Sequence, residues 1–316
     1  MLTWPTARHL GTKNPDQAGG GGVGREVIDT TAPDRQSEPM SSLLPSDDEH
    51  LTTGWEADLD PADSLVRQAV DAHASWALHV ARAGGRPWAE RPGWVASHCR
   101  DSGALANLAL VKIPPSDLAA VAAEVAAWYH AGIPHLLLCP FPAPAAVLAG
   151  YSLIGHPPLM VRPADTSSPS SPSASNADIT VRRVDTPEEL VDAERVMVEG
   201  YPIPELQPFQ PGSVYDDAFL DDNTAVFVAY DDGGPLGTAA AHSAAGMTLV
   251  ENVAALGAAR GRGVGAAVTA AATVAFGSGQ PAVLIASDDG QPVYQRLGYL
   301  RVERWTAWLR SPTKGS

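Results

Sequence analysis

The sequence predicts an α/β protein in which two halves of similar element order each combine a mixed sheet with flanking helices. In the C-terminal half, short apolar runs of strand length alternate with segments that carry an apolar face at helical spacing. A glycine-rich loop joins one of these strands to a helix. The N-terminal half repeats part of this order, and a segment rich in Ser and Pro separates the two halves.

Composition divides the 316-residue chain into four segments. Residues 1–54 are rich in Gly, Pro, Ser, Asp and Thr and have no sustained apolar period, so we expect a disordered tail. Residues 55–164 form an accessory half. Residues 165–177 are a Ser/Pro linker that cannot fill a core, and residues 178–312 form the second domain.

The N-terminal half shows the shorter series of elements. It predicts strands over 108–113, 135–138 and 159–162 and helices over 116–131 and 143–153. The second helix of each half contains Tyr-x-x-x-Gly followed by His or Tyr, beginning at Tyr151 and Tyr294. This recurrence predicts two copies of one fold, although short apolar helices also resemble each other by coincidence.

The C-terminal half is punctuated by turn and cap signals. Residues 179–184 alternate as a strand, and Thr186, Pro187 and two glutamates start a helix that runs to about Gly200. The run at 281–286 is apolar throughout, which is typical of a strand covered on both faces. The other predicted elements are a short helix near 214–220, strands over 225–230, 235–245 and 247–256, a helix to 276, a helix over 291–297 and a strand over 299–309.

Charge and apolar content exclude several classes of partner. The formal charge of −15 argues against nucleic acid, because phosphate backbones are bound by clustered Lys and Arg, and it suits a cationic substrate such as an amine. No stretch reaches the ~18 apolar residues of a membrane span, so we expect a cytoplasmic protein without a membrane partner. Cys99 and Cys139 form neither a disulfide framework nor a CxxC site, and no metal is expected.

The loop Arg260 to Gly265 (RGRGVG) follows a strand and opens a helix. The first N–H groups of a helix have no partner within it, and the macrodipole adds about half a positive charge there, so the loop is an anion site. Its three glycines remove the Cβ atoms that would keep a pyrophosphate from the amides, and its two arginines can add contacts. Glycines there give up roughly 0.5–1 kcal/mol each against alanine, which a ligand would justify.

The sequence around RGRGVG does not match two other known phosphate-binding motifs. A Walker loop needs Lys followed by Ser or Thr after its last glycine, but Ala266 and Ala267 follow here. A dinucleotide loop needs an acidic residue about 20 residues further on, where Gly279 and Gln280 stand. The sequence therefore favours a phosphate-bearing ligand of another kind.

Two motifs resemble those of the GNAT superfamily of N-acetyltransferases. RGRGVG resembles the family's Gln/Arg-x-x-Gly-x-Gly/Ala signature, and residues 286–299 (ASDDGQPVYQRLGY) resemble its next motif, a helix that bears Tyr and ends in Gly-Phe or Gly-Tyr. The resemblance covers residues 178–312. It implies tandem GNAT-like domains with a degenerate N-terminal copy, and transfer of an acetyl group from acetyl-CoA to a primary amine by direct attack.

The resemblance also implies roles for individual residues. The backbone of Val253 to Ala255 would pair with the pantetheine arm, and Tyr294 would protonate the departing thiolate, as a phenol of pKa ~10 can at neutral pH. Glu251 is the candidate base that would remove a proton from the ammonium form of the acceptor, so that the free amine can attack. The expected cofactor-binding residues are Val253, Ala254, Ala255, Arg260, Gly261, Arg262, Gly263, Val264, Gly265 and Ala266. Weaker candidates for the base are Asp221, Asp222, Glu199 and Ser287, and Ser287 also suits a helix cap.

Two functions of other classes remain open. The chain could bind acyl-CoA without catalysis, as a sensor or scaffold, or bind a nucleotide through the same loop. In the N-terminal half, Pro114 and Pro115 stand where the glycine-rich loop would be, and proline supplies no N–H to an anion. We therefore expect one cofactor per chain and an N-terminal half that either shapes the pocket for a small-molecule or peptide amine or supports the fold.

Overall fold

The computed structural model describes part of the chain as one compact unit, namely residues 55, 60, 64–101, 103–130, 132–142, 148–164, 178–201 and 203–311. The tail predicted over 1–54 and the linker predicted over 165–177 lie outside the described residues. Within the described ranges, no group of His, Cys, Asp and Glu is arranged to hold a metal ion. No helix in these ranges is long and apolar enough to cross a membrane.

Helices and strands alternate along most of the described chain. The helices are α1 (Leu65–Ala83), α2 (Leu118–Trp128), α3 (Pro187–Gly200), α4 (Val264–Thr273) and α5 (Gln291–Arg296). The strands are β1 (Trp88–Glu90), β2 (Trp94–Ser97), β3 (Leu108–Val111), β4 (His135–Cys139), β5 (Ser152–Gly155), β6 (Pro158–Arg162), β7 (Thr180–Arg183), β8 (Thr224–Asp231), β9 (Gly234–Ala244), β10 (Met247–Ala255), β11 (Ala282–Ile285), β12 (Leu300–Arg304) and β13 (Thr306–Arg310).

Two mixed sheets form the body of the molecule. One has the strand order β1-β2-β3-β4-β13-β5 and the other the order β12-β6-β11-β10-β9-β8-β7. The pairs β3–β4 and β10–β11 are parallel, and the other pairs are antiparallel. Helices α3 and α4 pack against β8, β9 and β10, and α1 contacts strands of both sheets. The predicted α/β fold with mixed sheets and flanking helices is confirmed.

The two halves exchange strands. Strand β6 of the N-terminal half lies between β12 and β11, where Met160 is paired with Leu284 and with Arg301. Strand β13 of the C-terminal half lies between β4 and β5, with Trp308 opposite Leu137. Each sheet is therefore completed by a strand from the other half.

The strand predicted over 299–309 is wrong as a single element. It divides at Trp305 into β12 and β13, which belong to different sheets. Trp305 is fully buried, its backbone N–H donates to the Pro157 carbonyl at 3.0 Å, and its indole donates to Glu303 at 2.6 Å. These contacts hold the corner, and local alternation of residue types does not reveal it.

The helix predicted over 143–153 is wrong at its C-terminal end, because residues 152–155 form the edge strand β5. Residues 143–147 lie outside the described part of the chain. Tyr151 precedes a strand, whereas Tyr294 lies in helix α5. The two Tyr-x-x-x-Gly patterns therefore do not mark equivalent helices, since periodicity alone separates short apolar strands and helices poorly.

Helix α1 has no counterpart among the predicted elements, yet it joins the two sheets. Ser64 caps its N-terminus by accepting the N–H of Arg67 at 3.2 Å. Trp76 on its buried face belongs to a core cluster that includes Val95 of the N-terminal half and Leu249 of the C-terminal half. The core is therefore shared between the halves.

Candidate active site

Strands β10 and β11 separate at the centre of the seven-stranded sheet. They pair in parallel at only two positions, Thr248 with Ala282 and Leu249 with Val283, while β10 continues to Ala255. On its other side β10 shifts register against β9 between Glu251 and Ala254, where Asn252 takes a positive φ of 54°. The edge of β10 that faces β11 is therefore open over its last residues, as an added extended chain would require.

The glycine-rich loop lies at the end of this open edge. Gly261 and Gly263 have φ values of 76° and 81°, a conformation that favours glycine, whereas Gly265 lies within α4 and needs no such freedom. A Cβ on any of the three would have open space within 4 Å. The N–H of Ala267 bonds to the Gly263 carbonyl at 3.0 Å, so the amides of 263–266 precede this first helical bond.

The two arginines of the loop contact neighbouring elements. Arg262 forms an ion pair with Asp231 at 2.9 Å, and hydrogen bonding from Arg262 lowers the pKa of Asp231. Arg260 donates to the Gly200 carbonyl at 3.4 Å. Gly200 ends α3 so close to β10 that a Cβ there would lie 2.9 Å from the Ala255 carbonyl. These contacts join α3, β10 and the loop.

A cavity of about 200 Å³ lies next to the separation of β10 and β11. Residues of both halves line it, including the proposed catalytic pair Glu251 and Tyr294 and the backbone region at Asn252 and Val253. The N-terminal half contributes mainly apolar side chains from α1, β3 and β4. The structure thus brings the two candidate catalytic residues to one cavity.

Glu251 meets a histidine that the sequence did not indicate. The Oε1 atom of Glu251 lies 3.5 Å from Nε2 of His73, and a quarter of the Glu251 side chain is exposed while His73 is buried. Burial raises the pKa of Glu251 to about 7 and lowers the pKa of His73 to about 4. His73 Nδ1 donates to the Ala69 carbonyl at 2.7 Å, so Nε2 is the nitrogen that carries no proton in the neutral ring.

Tyr294 brings a phenol to the same cavity. Its side chain is almost entirely buried in helix α5. Burial, and then the charge of Glu251, raise the pKa of its phenol well above the usual value near 10. The phenol is therefore neutral at physiological pH and can act as a proton donor.

The weaker candidates for the base occupy other places. Ser287 lines the cavity, and its Oγ accepts the N–H of Gly290 at 2.9 Å in the turn before α5. The predicted helix cap is wrong, because the N-cap residue of α5 is Gly290 and this helix end has no side-chain cap bond. The Oδ2 atom of Asp221 lies 3.6 Å from Nε2 of His79. In the described part of the chain, Asp221, Asp222 and Glu199 are not among the lining residues.

The cysteines differ from each other. Cys139 is buried, whereas Cys99 is partly exposed and lines the cavity. Burial raises the pKa of the Cys99 thiol, which keeps it neutral. Like His73, Cys99 comes from the N-terminal half, and no local spacing in the sequence links either residue to Glu251.

Comparisons with known proteins agree with this geometry. Residues 222–301 match the family model described as Acetyltransferase (GNAT) domain. A GCN5-related N-acetyltransferase from Kribbella flavida is 25% identical with a TM-score of 0.56, over 80% of this chain and 97% of that chain. A GCN5-related N-acetyltransferase-like protein from Streptococcus suis is 13% identical with a TM-score of 0.49, and the match covers 69% of this chain and 84% of that chain. No curated protein matches this sequence.

The match to the protein from Kribbella flavida covers parts of both halves of this chain. Residues 178–312 are less than half of the chain, so a match over 80% of it includes much of the N-terminal half. The GNAT-related fold therefore extends beyond the residues that the family model covers, in agreement with the predicted tandem arrangement. The chain carries a GNAT acetyltransferase domain in its C-terminal half.

Proposed function

We propose that this protein transfers an acetyl group from acetyl-CoA to a primary amine by direct attack. The observation that carries the proposal is that Glu251 and Tyr294 line one cavity beside the open edge of β10. A group that titrates near pH 7 and a neutral phenol are the base and the acid that the reaction needs. This arrangement favours catalysis over acyl-CoA binding alone.

The residues around the open edge fit the proposed donor. The backbone of Val253 to Ala255 would pair with the pantetheine arm, and the amides of Gly261 to Ala266 would bind the pyrophosphate. The missing Cβ of Gly265 supports this role, since its conformation does not demand glycine. Arg260 and Arg262 would add positive charge beside the phosphates.

Each proton then has a stated donor and acceptor. An alkylammonium of pKa ~10 is deprotonated only about one part in a thousand at pH 7, so Glu251 accepts its proton. The amine nitrogen attacks the thioester carbonyl carbon, and the bond from that carbon to sulfur breaks. Tyr294 protonates the leaving thiolate, and the second proton lost by the nitrogen as the intermediate collapses restores the phenol of Tyr294. Glu251 releases its proton to solvent, so the products are the amide, free coenzyme A and one proton.

Thermal unfolding with acetyl-CoA, ATP or NAD tests the choice of ligand. We expect stabilisation by acetyl-CoA alone, amounting to about 2.7 kcal/mol at 100 times its Kd. Release of free thiol with a broad panel of amines then tests turnover. Stabilisation by acetyl-CoA without thiol release would favour a sensor or scaffold, and stabilisation by ATP or NAD instead would favour a nucleotide-binding protein.

A further inference from the structure

The N-terminal half builds one side of the cavity mainly from apolar groups, beside the polar side chains of His73, Ser97, Cys99 and Arg100. The apolar groups come from α1, β3, β4 and the 3₁₀ turn Ala104–Ala106, and they include Trp76, Val80, Leu105, Ala106, Leu136 and Leu138. Leu105 is 39% exposed, which places it where the cavity meets solvent. Apolar walls of this kind bind a ligand by removing its apolar surface from water.

Charge in the cavity wall is balanced within the chain. Arg100 is the single Arg or Lys among the described lining residues, and its guanidinium donates to the Gly212 carbonyl at 2.6 Å. Burial lowers the pKa of Arg100, whereas the nearby carboxylates of Glu194 and Asp216 favour its charged form. The cavity therefore does not need an anionic group on the ligand to balance this charge.

The size of the cavity limits the body of the acceptor. An apolar cavity of about 150 Å³ holds benzene, and this one measures about 200 Å³. We propose that the acceptor is a primary amine on a compact, uncharged apolar body, of the size of one aromatic ring or a short branched chain, seated against α1 and the residues Leu105 and Ala106. This inference rests on the proposed function and names its substrate class.

A panel of amines tests the class directly. We expect kcat/KM for benzylamine and isoamylamine to exceed that for ethanolamine, putrescine and phenylalanine by about 10-fold or more, as discrimination by an apolar pocket allows. Phenylalanine carries the same ring as benzylamine together with a carboxylate. Equal or better use of any of the three polar amines would overturn the inference.

A variant that fills the cavity makes the test specific to this site. Ala106→Leu adds bulk to a lining residue in a 3₁₀ turn without buried residues, so the core is not disturbed. We expect kcat/KM for benzylamine to fall about 10-fold or more while that for methylamine is unchanged. Ala104→Leu changes the same turn at a residue that does not line the cavity and leaves both values unchanged.

A binding measurement separates this inference from the proposed function. Benzylamine is titrated calorimetrically into the full chain with coenzyme A present, which carries no acetyl group to transfer. Binding that Ala106→Leu weakens and Ala104→Leu does not supports the inference, and if thiol release is then absent only the proposed function fails. If the protein turns over amines but Ala106→Leu weakens neither the binding of benzylamine nor its kcat/KM, the inference is overturned while the proposed function stands. Absence of both binding and turnover overturns both.

Discussion

Burial raises the pKa of both Glu251 and Tyr294, but the two shifts have different consequences at neutral pH. The phenol of Tyr294 remains protonated and can only donate. The carboxyl group of Glu251 titrates near pH 7, so it can both accept and release a proton during one turnover. Nε2 of His73 lies 3.5 Å from Oε1 of Glu251, but burial keeps this ring neutral at pH 7, so it supplies no positive charge to stabilise the carboxylate.

Tyr294→Phe removes the proposed acid with little change in shape. We expect kcat to fall roughly 10²-fold or more while the affinity for acetyl-CoA stays near normal, because the phenol acts on the leaving thiolate. Steady-state thiol release and calorimetric titration measure the two quantities. Tyr299→Phe is the matched control, since that hydroxyl bonds to Thr273 at 2.8 Å and is not among the residues that line the cavity. Unchanged turnover in Tyr294→Phe would remove Tyr294 from the mechanism.

Glu251→Gln separates activity from stability. As the proposed base, Glu251 must be deprotonated, so kcat/KM of the wild-type protein should fall below about pH 7 and be nearly lost in the variant. Between pH 4.5, the pKa of Glu251 in the unfolded chain, and about pH 7, its pKa in the folded protein, only the folded state holds this proton. The contribution of Glu251 to the free energy of unfolding of the wild type therefore decreases as pH rises from 4.5 to about 7.

Glutamine has no such dependence. The free energy of unfolding of Glu251→Gln minus that of the wild type should therefore be more positive at pH 8 than at pH 4.5, by up to about 3 kcal/mol. Urea unfolding at both values measures the difference. A constant difference across this range would mean that the pKa of Glu251 is not raised.

The element that connects site and fold is α4, whose first turn contains Gly265. A Cβ there meets no protein atom within 4 Å, so Gly265→Ala should raise the free energy of unfolding by up to about 1 kcal/mol. The same methyl group would enter the space proposed for the pyrophosphate, so the Kd for acetyl-CoA should rise about 10-fold or more. Thermal unfolding and calorimetry measure the two effects.

Gly257→Ala is the control for this variant. It lies in the turn before the loop, also faces open space, and is not among the residues expected to bind phosphate. Its acetyl-CoA affinity should stay unchanged. A more stable Gly265→Ala protein with wild-type affinity would show that the pyrophosphate does not approach this amide.

At the level of elements, local signals and long-range contacts differ in what a sequence reveals. Helix α3 begins and ends as predicted because its cap is local, with Thr186 Oγ1 accepting the N–H of Glu189 at 3.3 Å. The division of β12 from β13 depends on Trp305 packing against distant residues, and no local pattern encodes it. His73 meets Glu251 for the same reason, through the packing of α1 on β10.

Exchange of β6 and β13 makes the two halves one cooperative structure. Removing β6 would leave β12 without a partner and open one edge of β11, and removing β13 would do the same to β5 and β4. Neither half can therefore unfold without disturbing the other. Tryptophan fluorescence reports on parts of the molecule outside the proposed cofactor site, because residues 178–304 contain no tryptophan. The described tryptophans lie in the N-terminal half, at the corner Trp305 and in β13.

Acetyl-CoA, proposed to bind at residues 253–266, should therefore stabilise a fluorescence signal that arises outside residues 178–304. We expect the urea midpoint of tryptophan fluorescence to rise with acetyl-CoA concentration and to coincide with the midpoint from far-ultraviolet circular dichroism, because a ligand of the folded state stabilises the whole cooperative unit. Gly265→Ala should show a smaller shift at the same ligand concentration. If calorimetry shows that acetyl-CoA binds while the fluorescence midpoint stays constant, the halves unfold independently and the exchanged strands do not couple them.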